Sequence, residues 1–411
     1  MRIRIPHNIL YQILFLACVT IPYLNHYELT FAVWSITALI TIQKNYSLSI
    51  LKIVSFFVLI LLVAFASSIT ETFSNYEFIR DFAYLMKPIL GLLVGYQLCK
   101  GFIKSPFELL VYVGVFIASV HLLIILYSFA FLPVNSMHQL RGHAGYFSDF
   151  EVYAMIFLIF HKEFNLNLSR KYIQRFSLLV GFSIFMYLAR SNFIQLGVLF
   201  LALKGYFELN KKSITIVATS ILVILSAYWA IVAYNPDRGA KGLEALLFKI
   251  KNSPNEAFKT RVNKDDWKDF NDNYRSYENI LTLRQVPQGG WKPILFGEGL
   301  GSSIDLKKKV WLHTSMMRYI PFLHNGFMTI FLKAGLLGVI ILIFSIGFLL
   351  KHQKSADPLV SNINLLLLGT GVYLVLSYWV FMGFYFTVDT KSLVVGLLFA
   401  MREHRLKNLN A

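Results

Sequence analysis

The sequence predicts an all-α fold: a polytopic membrane bundle of about twelve helices, with one large polar segment let into it. Three observations carry that reading. Of 411 residues, 56% are hydrophobic and only 15% are charged, and mean hydropathy is +0.57. Apolar runs long enough to cross a bilayer recur along the chain. The runs are continuous rather than alternating, which excludes the strands of a membrane barrel. Length alone would allow two or three soluble domains, but composition overrides it.

Spans are expected near 8–24, 28–43, 52–70, 82–99, 106–132, 147–161, 175–189, 192–208, 213–234, 323–350, 359–384 and 388–403. The chain so divides into 1–234 with nine spans, 235–322 as the polar segment, and 323–411 with three more. The first run lacks a small-residue cleavage site and is read as a retained helix. Charge sets the orientation. With both termini cytoplasmic, the inner turns hold Lys44, Lys52, Lys100, Lys104, Lys162, Arg170, Lys171, Arg175, Lys351 and Lys354. The short outer turns hold only Arg80, Arg141, Arg190 and Lys391, while Lys87 and Lys333 fall within spans. This asymmetry alternates at every turn and makes 235–322 extracytoplasmic.

Other function classes recede on composition. The net charge of +17 reflects inner turns resting on membrane lipid, so no nucleic acid partner is expected. Cys18 and Cys99 lie in apolar runs, outside any metal-ligand spacing or disulfide framework. No outer pair of carboxylates suits a metal site, and Asp265–Asp266 falls on an expected surface helix, so no metal and no cofactor are implied. A serine nucleophile elbow and a glycosidase carboxylate pair are also absent. The halves show no repeat, which argues against a flippase or secondary transporter, as do charges set mostly at the outer rim.

Candidate residues gather at the outer turns. A helix from Leu323 would place His324, Met328, Phe331 and Gly335 on one stripe, with Gly338 beside it and Lys333 on the opposite face. That spacing leaves Lys333 out of any site built on His324. His324 read alone is either an interfacial cap or the rim of a crevice. Arg80, Tyr84, Lys87 and Gly91 form a second such stripe; Lys87 either snorkels outward or faces a basic, water-filled cavity. Arg141, Arg190 and Arg318 add cations to the same side, and guanidinium groups suit phosphate or diphosphate. Within the polar segment, 264–284 is expected as an amphipathic helix, with Phe270, Tyr274, Tyr277 and Leu281 on one stripe and Arg275 and Glu278 on another. It lies either over the bundle mouth or on the lipid interface. Gly297, Gly299 and Gly301 form either a phosphate-cradling turn or a plain one.

These residues resemble a known family. His324-Asn325, nine residues, then Gly335-Leu-Leu-Gly338 is similar to the His-(Asn/Ser/Gln)-x9-Gly-x2-(Gly/Thr/Tyr) pattern of O-antigen ligases, within the wider O-antigen ligase and polymerase superfamily. LFGEGLGS resembles that family's glycine-rich approach, and Arg190-Ser191 its short arginine turn. Arg141–Ala154 resembles its Arg-x2-Gly-x-Phe-x-(Asn/Asp) segment. RDFAYLMKPILGLLVGY, with Arg80 and Lys87, looks like a segment of polysaccharide polymerases.

The resemblance implies a GT-C-like glycosyltransferase, independent of metal, in a bacterial inner membrane. It would transfer glycan from undecaprenyl diphosphate to an acceptor hydroxyl on the outer side. His324 would contact the acceptor or the diphosphate, and Arg190, Arg318 and Arg80 would hold diphosphate, with Lys87 and Arg141 in support. Arg275, Glu278 and Tyr84 would contact substrate, and Trp267, Tyr274, Tyr277 and Trp291 could stack on sugar. Partners implied are undecaprenyl-diphosphate-linked glycans, membrane lipids and a chain-length regulator protein. A polymerase of lipid-linked repeat units is favoured over a ligase acting on lipid A–core, because the Arg80–Lys87 segment reads that way.

Overall fold

The computed structural model describes residues 7–69, 74–134, 137–207, 211–240, 243–312, 315–351 and 353–410. The first ten helices are α1 (His7–Thr20), α2 (Tyr27–Ile40), α3 (Leu48–Ser68), α4 (Asn75–Gly101), α5 (Pro106–Phe131), α6 (Met137–Ala144), α7 (Asp149–Ile159), α8 (Arg170–Met186), α9 (Arg190–Leu203) and α10 (Lys211–Tyr234). The polar segment follows with α11 (Leu243–Phe258), α12 (Trp267–Asp272), α13 (Tyr274–Gln285), α14 (Trp291–Phe296), β1 (Ile304–Leu312) and β2 (Ser315–Ile320). Then come α15 (Gly326–Leu350), α16 (Pro358–Phe381) and α17 (Lys391–Asn410).

Among the described residues, six helices are long and apolar enough to cross a membrane: α3, α4, α5, α15, α16 and the 215–234 part of α10. Of the others expected as spans, α1, α2, α7, α8 and α9 are shorter, and α17 has 20 residues but is too polar. At about 1.5 Å per residue the 11 residues of α7 reach roughly half of a hydrocarbon core about 30 Å thick.

Local chemistry fixes where the long helices begin. Ser74 and Glu77 form a reciprocal capping box that starts α4. Asp357, followed by Pro358, starts α16. α4 is the centre of the bundle and is buried over most of its C-terminal half. It packs on α17, with backbones close enough that a Cβ on Gly95 would overlap the Leu393 carbonyl, and one on Gly396 the Leu92 carbonyl. Larger residues there would force the two helices apart. α2 and α3 also pack on it, so its buried polar residues, Asp81, Lys87 and Gln97, must find partners within the protein.

The polar segment departs from the all-α expectation. β1 and β2 form an antiparallel ribbon, with Ile304 opposite Ile320 and Trp311 opposite Met316. The three-lysine run Lys307–Lys309 interrupts the apolar alternation that would announce a strand, and the register shifts between Asp305 and Val310. The helix expected over 264–284 breaks at Asn273, and Asp266 caps the first piece through the amides of Lys268 and Asp269. The apolar stripe survives the break. Phe270 and Tyr277 pack with Ile304, Ile320, Leu323, Phe331 and Leu332 in a second core. That stripe faces the ribbon and the start of α15.

α15 is itself interrupted. Gly335 has φ 63°, ψ −163°, which is not helical, and only glycine takes that conformation readily. The gap admits the segment after α14: the Glu298 amide donates to the Leu332 carbonyl (2.7 Å) and the Gly299 amide to the Lys333 carbonyl (3.2 Å). A Cβ on Gly335 would overlap the Leu295 carbonyl and the Phe296 amide.

Candidate functional site

His324 precedes α15 instead of riding on it. Asn325 is the N-cap, its side-chain oxygen accepting the Met328 amide at 3.2 Å. Thr329 Oγ1 takes the Leu323 amide at 3.0 Å and folds the chain back over the first turn. The expected stripe therefore loses its first member, because the cap ends the helix one residue after the histidine. Freed from the helix, His324 meets Glu278 of α13. The His324 amide donates to Oε2 (2.9 Å), and ring Nδ1 lies 3.1 Å from both carboxylate oxygens. The Glu278 side chain is 2% exposed and that of His324 is 45% exposed.

This is a buried carboxylate orienting an accessible imidazole. A carboxylate at Nδ1 selects the tautomer with the proton on that nitrogen and leaves Nε2 as the acceptor. Tyr274 closes the ring's other side, edge-on at 5.8 Å between centroids. Burial raises the Tyr274 phenol's pKa, and the charge of Glu278 raises it further, so the phenol stays neutral.

A cationic cluster adjoins this pair. Arg275, three residues before Glu278 on α13, pairs with Glu256 of α11 (2.5 Å). Arg190, at the start of α9, reaches the other oxygen of Glu256 (3.3 Å), the Lys249 carbonyl (2.9 Å) and Ser253. Arg141 donates to the Tyr146 carbonyl (3.1 Å), and its Nε has no partner among the described residues. Partial desolvation by its neighbours lowers the pKa of the Lys249 ammonium, and the charges of Arg141 and Arg190 lower it further against the pull of Glu256. Burial likewise lowers that of Arg275, with Glu256 opposing and Arg190 reinforcing. Arg190 and Arg275 thus share one carboxylate, and Lys249 and Arg141 lie close enough to Arg190 to feel its charge. Such a cluster is poised to take up an anion with two or more charges.

The remaining predicted residues lie elsewhere. Arg80 bonds its neighbour Asp81 through Nε (2.9 Å). Lys87 is 6% exposed and neither snorkels nor faces a basic cavity. Its ammonium donates to the carbonyls of Phe386, Thr387 (2.7 Å) and Asp389 (2.9 Å). The small space beside it, about 10 Å³, is walled by Tyr27, Phe31, Trp34 and Tyr84. Tyr84 bonds Thr387 (3.1 Å) and stacks on Phe322 at 3.9 Å, two residues before His324. Arg318 sits on the ribbon, 46% exposed, in a two-pronged pair with Asp305 at 2.8 Å. The glycine-rich turn spends its amides on protein: Leu300 donates to Ser68 Oγ (2.6 Å) and Gly301 to Asp81 (2.7 Å).

Several residues in or beside this arrangement carry no motif. Lys249 and Glu256 lie about sixty residues from Arg190 in a stretch without pattern, and only the packing of α11 brings them to it. Charges expected at outer turns also prove to be buried. Lys391 pairs with Asp149 (2.7 Å) and Asp389 inside the bundle, and Glu151 accepts from Tyr187 (3.0 Å). Comparison with protein-family models and with curated proteins returns no match to this chain.

Proposed function

We propose that the protein is a membrane glycosyltransferase that moves glycan from a polyprenyl diphosphate to an acceptor hydroxyl, acting as a polymerase of undecaprenyl-diphosphate-linked repeat units. One observation carries the reading: the His324–Glu278 pair lies beside the Arg275–Glu256–Arg190 cluster, with α13 supplying a member to each. The charge asymmetry of the turns supports an extracytoplasmic site.

In this reaction the acceptor oxygen forms a bond to the sugar's anomeric carbon as the bond from that carbon to diphosphate breaks. The acceptor proton passes to His324 Nε2, and Glu278 stabilises the imidazolium that results. The departing diphosphate keeps the bonding electrons. Arg190, Arg275, Arg141 and Lys249 hold its growing charge. The diphosphate would displace or share the arginine contacts that Glu256 now makes.

The test is purified protein in lipid nanodiscs with lipid-linked repeat units, with and without lipid A–core. Chains that lengthen without core identify a polymerase. Glycosylation of core alone would make the protein a ligase, the activity whose motif His324-Asn325 resembles. His324→Ala and Glu278→Gln should each lower kcat by roughly 10²- to 10⁴-fold. Full transfer by the His324→Ala, Arg190→Ala double variant would overturn the assignment of these residues; no transfer by the wild type would overturn the transferase reading and return the chain to the transporter class.

A further inference from the structure

Asp81 and Lys333 are both fully buried, on α4 and α15, and their side chains meet at 2.5 Å. A buried ion pair is poor evidence for stability, because desolvating two charges offsets most of their attraction. What the pair touches is more informative. Asp81 also accepts the Gly301 amide (2.7 Å) and Arg80 Nε (2.9 Å), and Lys333 also donates to the Ser302 carbonyl. Both charges thus close on the glycine-rich segment 297–303. The same segment is seated in the break at Gly335 by the Leu332 and Lys333 carbonyls.

That segment holds the site from its far side. Gln285, the last residue of α13, donates through Nε2 to the Glu298 carboxylate (3.1 Å) and the Ser303 carbonyl (3.0 Å). Its Oε1 accepts the Asp305 amide (3.2 Å). α13 carries Glu278 and Arg275. α15, which carries Lys333, begins immediately after His324 and its cap. The two halves of the His324–Glu278 pair therefore reach the Asp81–Lys333 pair by separate routes: one along α15, the other through Gln285 and the segment.

We propose that Asp81 and Lys333 are positioning residues, clamping segment 297–303 so that α13 and the start of α15 hold Glu278 against His324. The functional half of this rests on the glycosyl-transfer reading. Both act on the site through α13 and α15, from outside the His324–Glu278 pair and the Arg190–Glu256–Arg275 cluster.

Single and double variants separate positioning from simple stabilisation. Lys333→Met takes the closer of two cationic partners from the buried Asp81 carboxylate, leaving Arg80, and should lower the melting temperature. Asp81→Leu combined with Lys333→Met removes both charges and should bring it back. The expected result is that kcat in the double variant stays at least tenfold down although the melting temperature recovers. Asp81→Asn, which keeps size and an acceptor, should lose less. Hydrogen exchange supplies a readout that needs no reaction: amides of 297–303 and 278–285 should exchange at least tenfold faster in the double variant, and those of α5 should not. Recovery of kcat together with the melting temperature overturns the proposal, as does unchanged exchange in both stretches. A wild-type protein with no transferase activity overturns the glycosyl-transfer reading alone, and the exchange data still decide the clamp.

Discussion

Arg190 and Arg275 share one carboxylate, that of Glu256, each taking a different oxygen. The two arginines come from α9 and α13, which the sequence separates by more than eighty residues. Glu256 so acts as a stand-in anion between two guanidinium groups. Its removal should strengthen the attraction of the cluster for an incoming one.

The first prediction follows. Glu256→Gln should tighten binding of inorganic pyrophosphate several-fold, measured by calorimetry in detergent. Arg190→Ala and Arg275→Ala should each weaken it by about 1.5–3 kcal/mol, a factor of roughly ten or more. Weaker binding by the glutamine variant would show that Glu256 organises the arginines instead of competing for them.

Lys249 gives a pH dependence with a definite sign. Partial desolvation by its neighbours and the charges of Arg141 and Arg190 hold its pKa below the ordinary value of 10.5. The unfolded chain then binds more protons there than the folded one. Stability from this group rises as pH climbs from the folded pKa towards 10.5. A bound dianion reverses the effect by favouring the ammonium. Pyrophosphate binding in that window should take up a proton, visible as a dependence on buffer ionisation enthalpy, and affinity should fall with rising pH. Lys249→Met should abolish the uptake; its persistence would assign the proton to another group.

Gly335→Ala should be among the most damaging single-methyl changes in the chain. Backbone strain at positive φ costs about 1–3 kcal/mol before any overlap with Leu295 and Phe296 is counted. Gly347 lies on the same helix, and a Cβ added there would have open space around it, with nothing within 4 Å among the described residues. Gly347→Ala should be neutral or mildly stabilising. Melting curves of the two variants should diverge; equal melting temperatures would mean that the break at Gly335 closes without penalty.

Lys87→Met leaves three carbonyls without their shared donor. Each buried acceptor so orphaned costs about 1–3 kcal/mol, so the variant should melt earlier. Its affinity for pyrophosphate should match the wild type. A selective loss of that affinity with melting intact would return Lys87 to the substrate-binding set.

Much of this is readable from the sequence, and the failures share a cause. Composition announces a helical membrane protein. The stripe Phe270, Tyr274, Tyr277 and Leu281 is recognisable, and the structure packs it against the ribbon and α15. His324 and Glu278 both stand out, but not as a pair, since nothing local links residues 46 positions apart. Periodicity places His324 on a helix because apolar spacing is blind to the cap at Asn325. It cannot show that Lys333 meets Asp81, because a buried charge reveals its partner only in three dimensions. Lys87 misleads for the same reason: its partners are backbone carbonyls, which no side-chain pattern encodes. The ribbon escapes because three successive lysines mask its alternation.

The interruption at Gly335 also bears on how the chain is assembled. A continuous α-helix satisfies its own backbone and can enter a bilayer as an independent unit. α15 cannot, because the carbonyls of Leu332 and Lys333 turn to the amides of Glu298 and Gly299, and Lys333 needs Asp81. Those partners all precede α15 in the chain. The folded helix therefore depends on 295–303 and α4 to satisfy its interrupted backbone and its one buried charge.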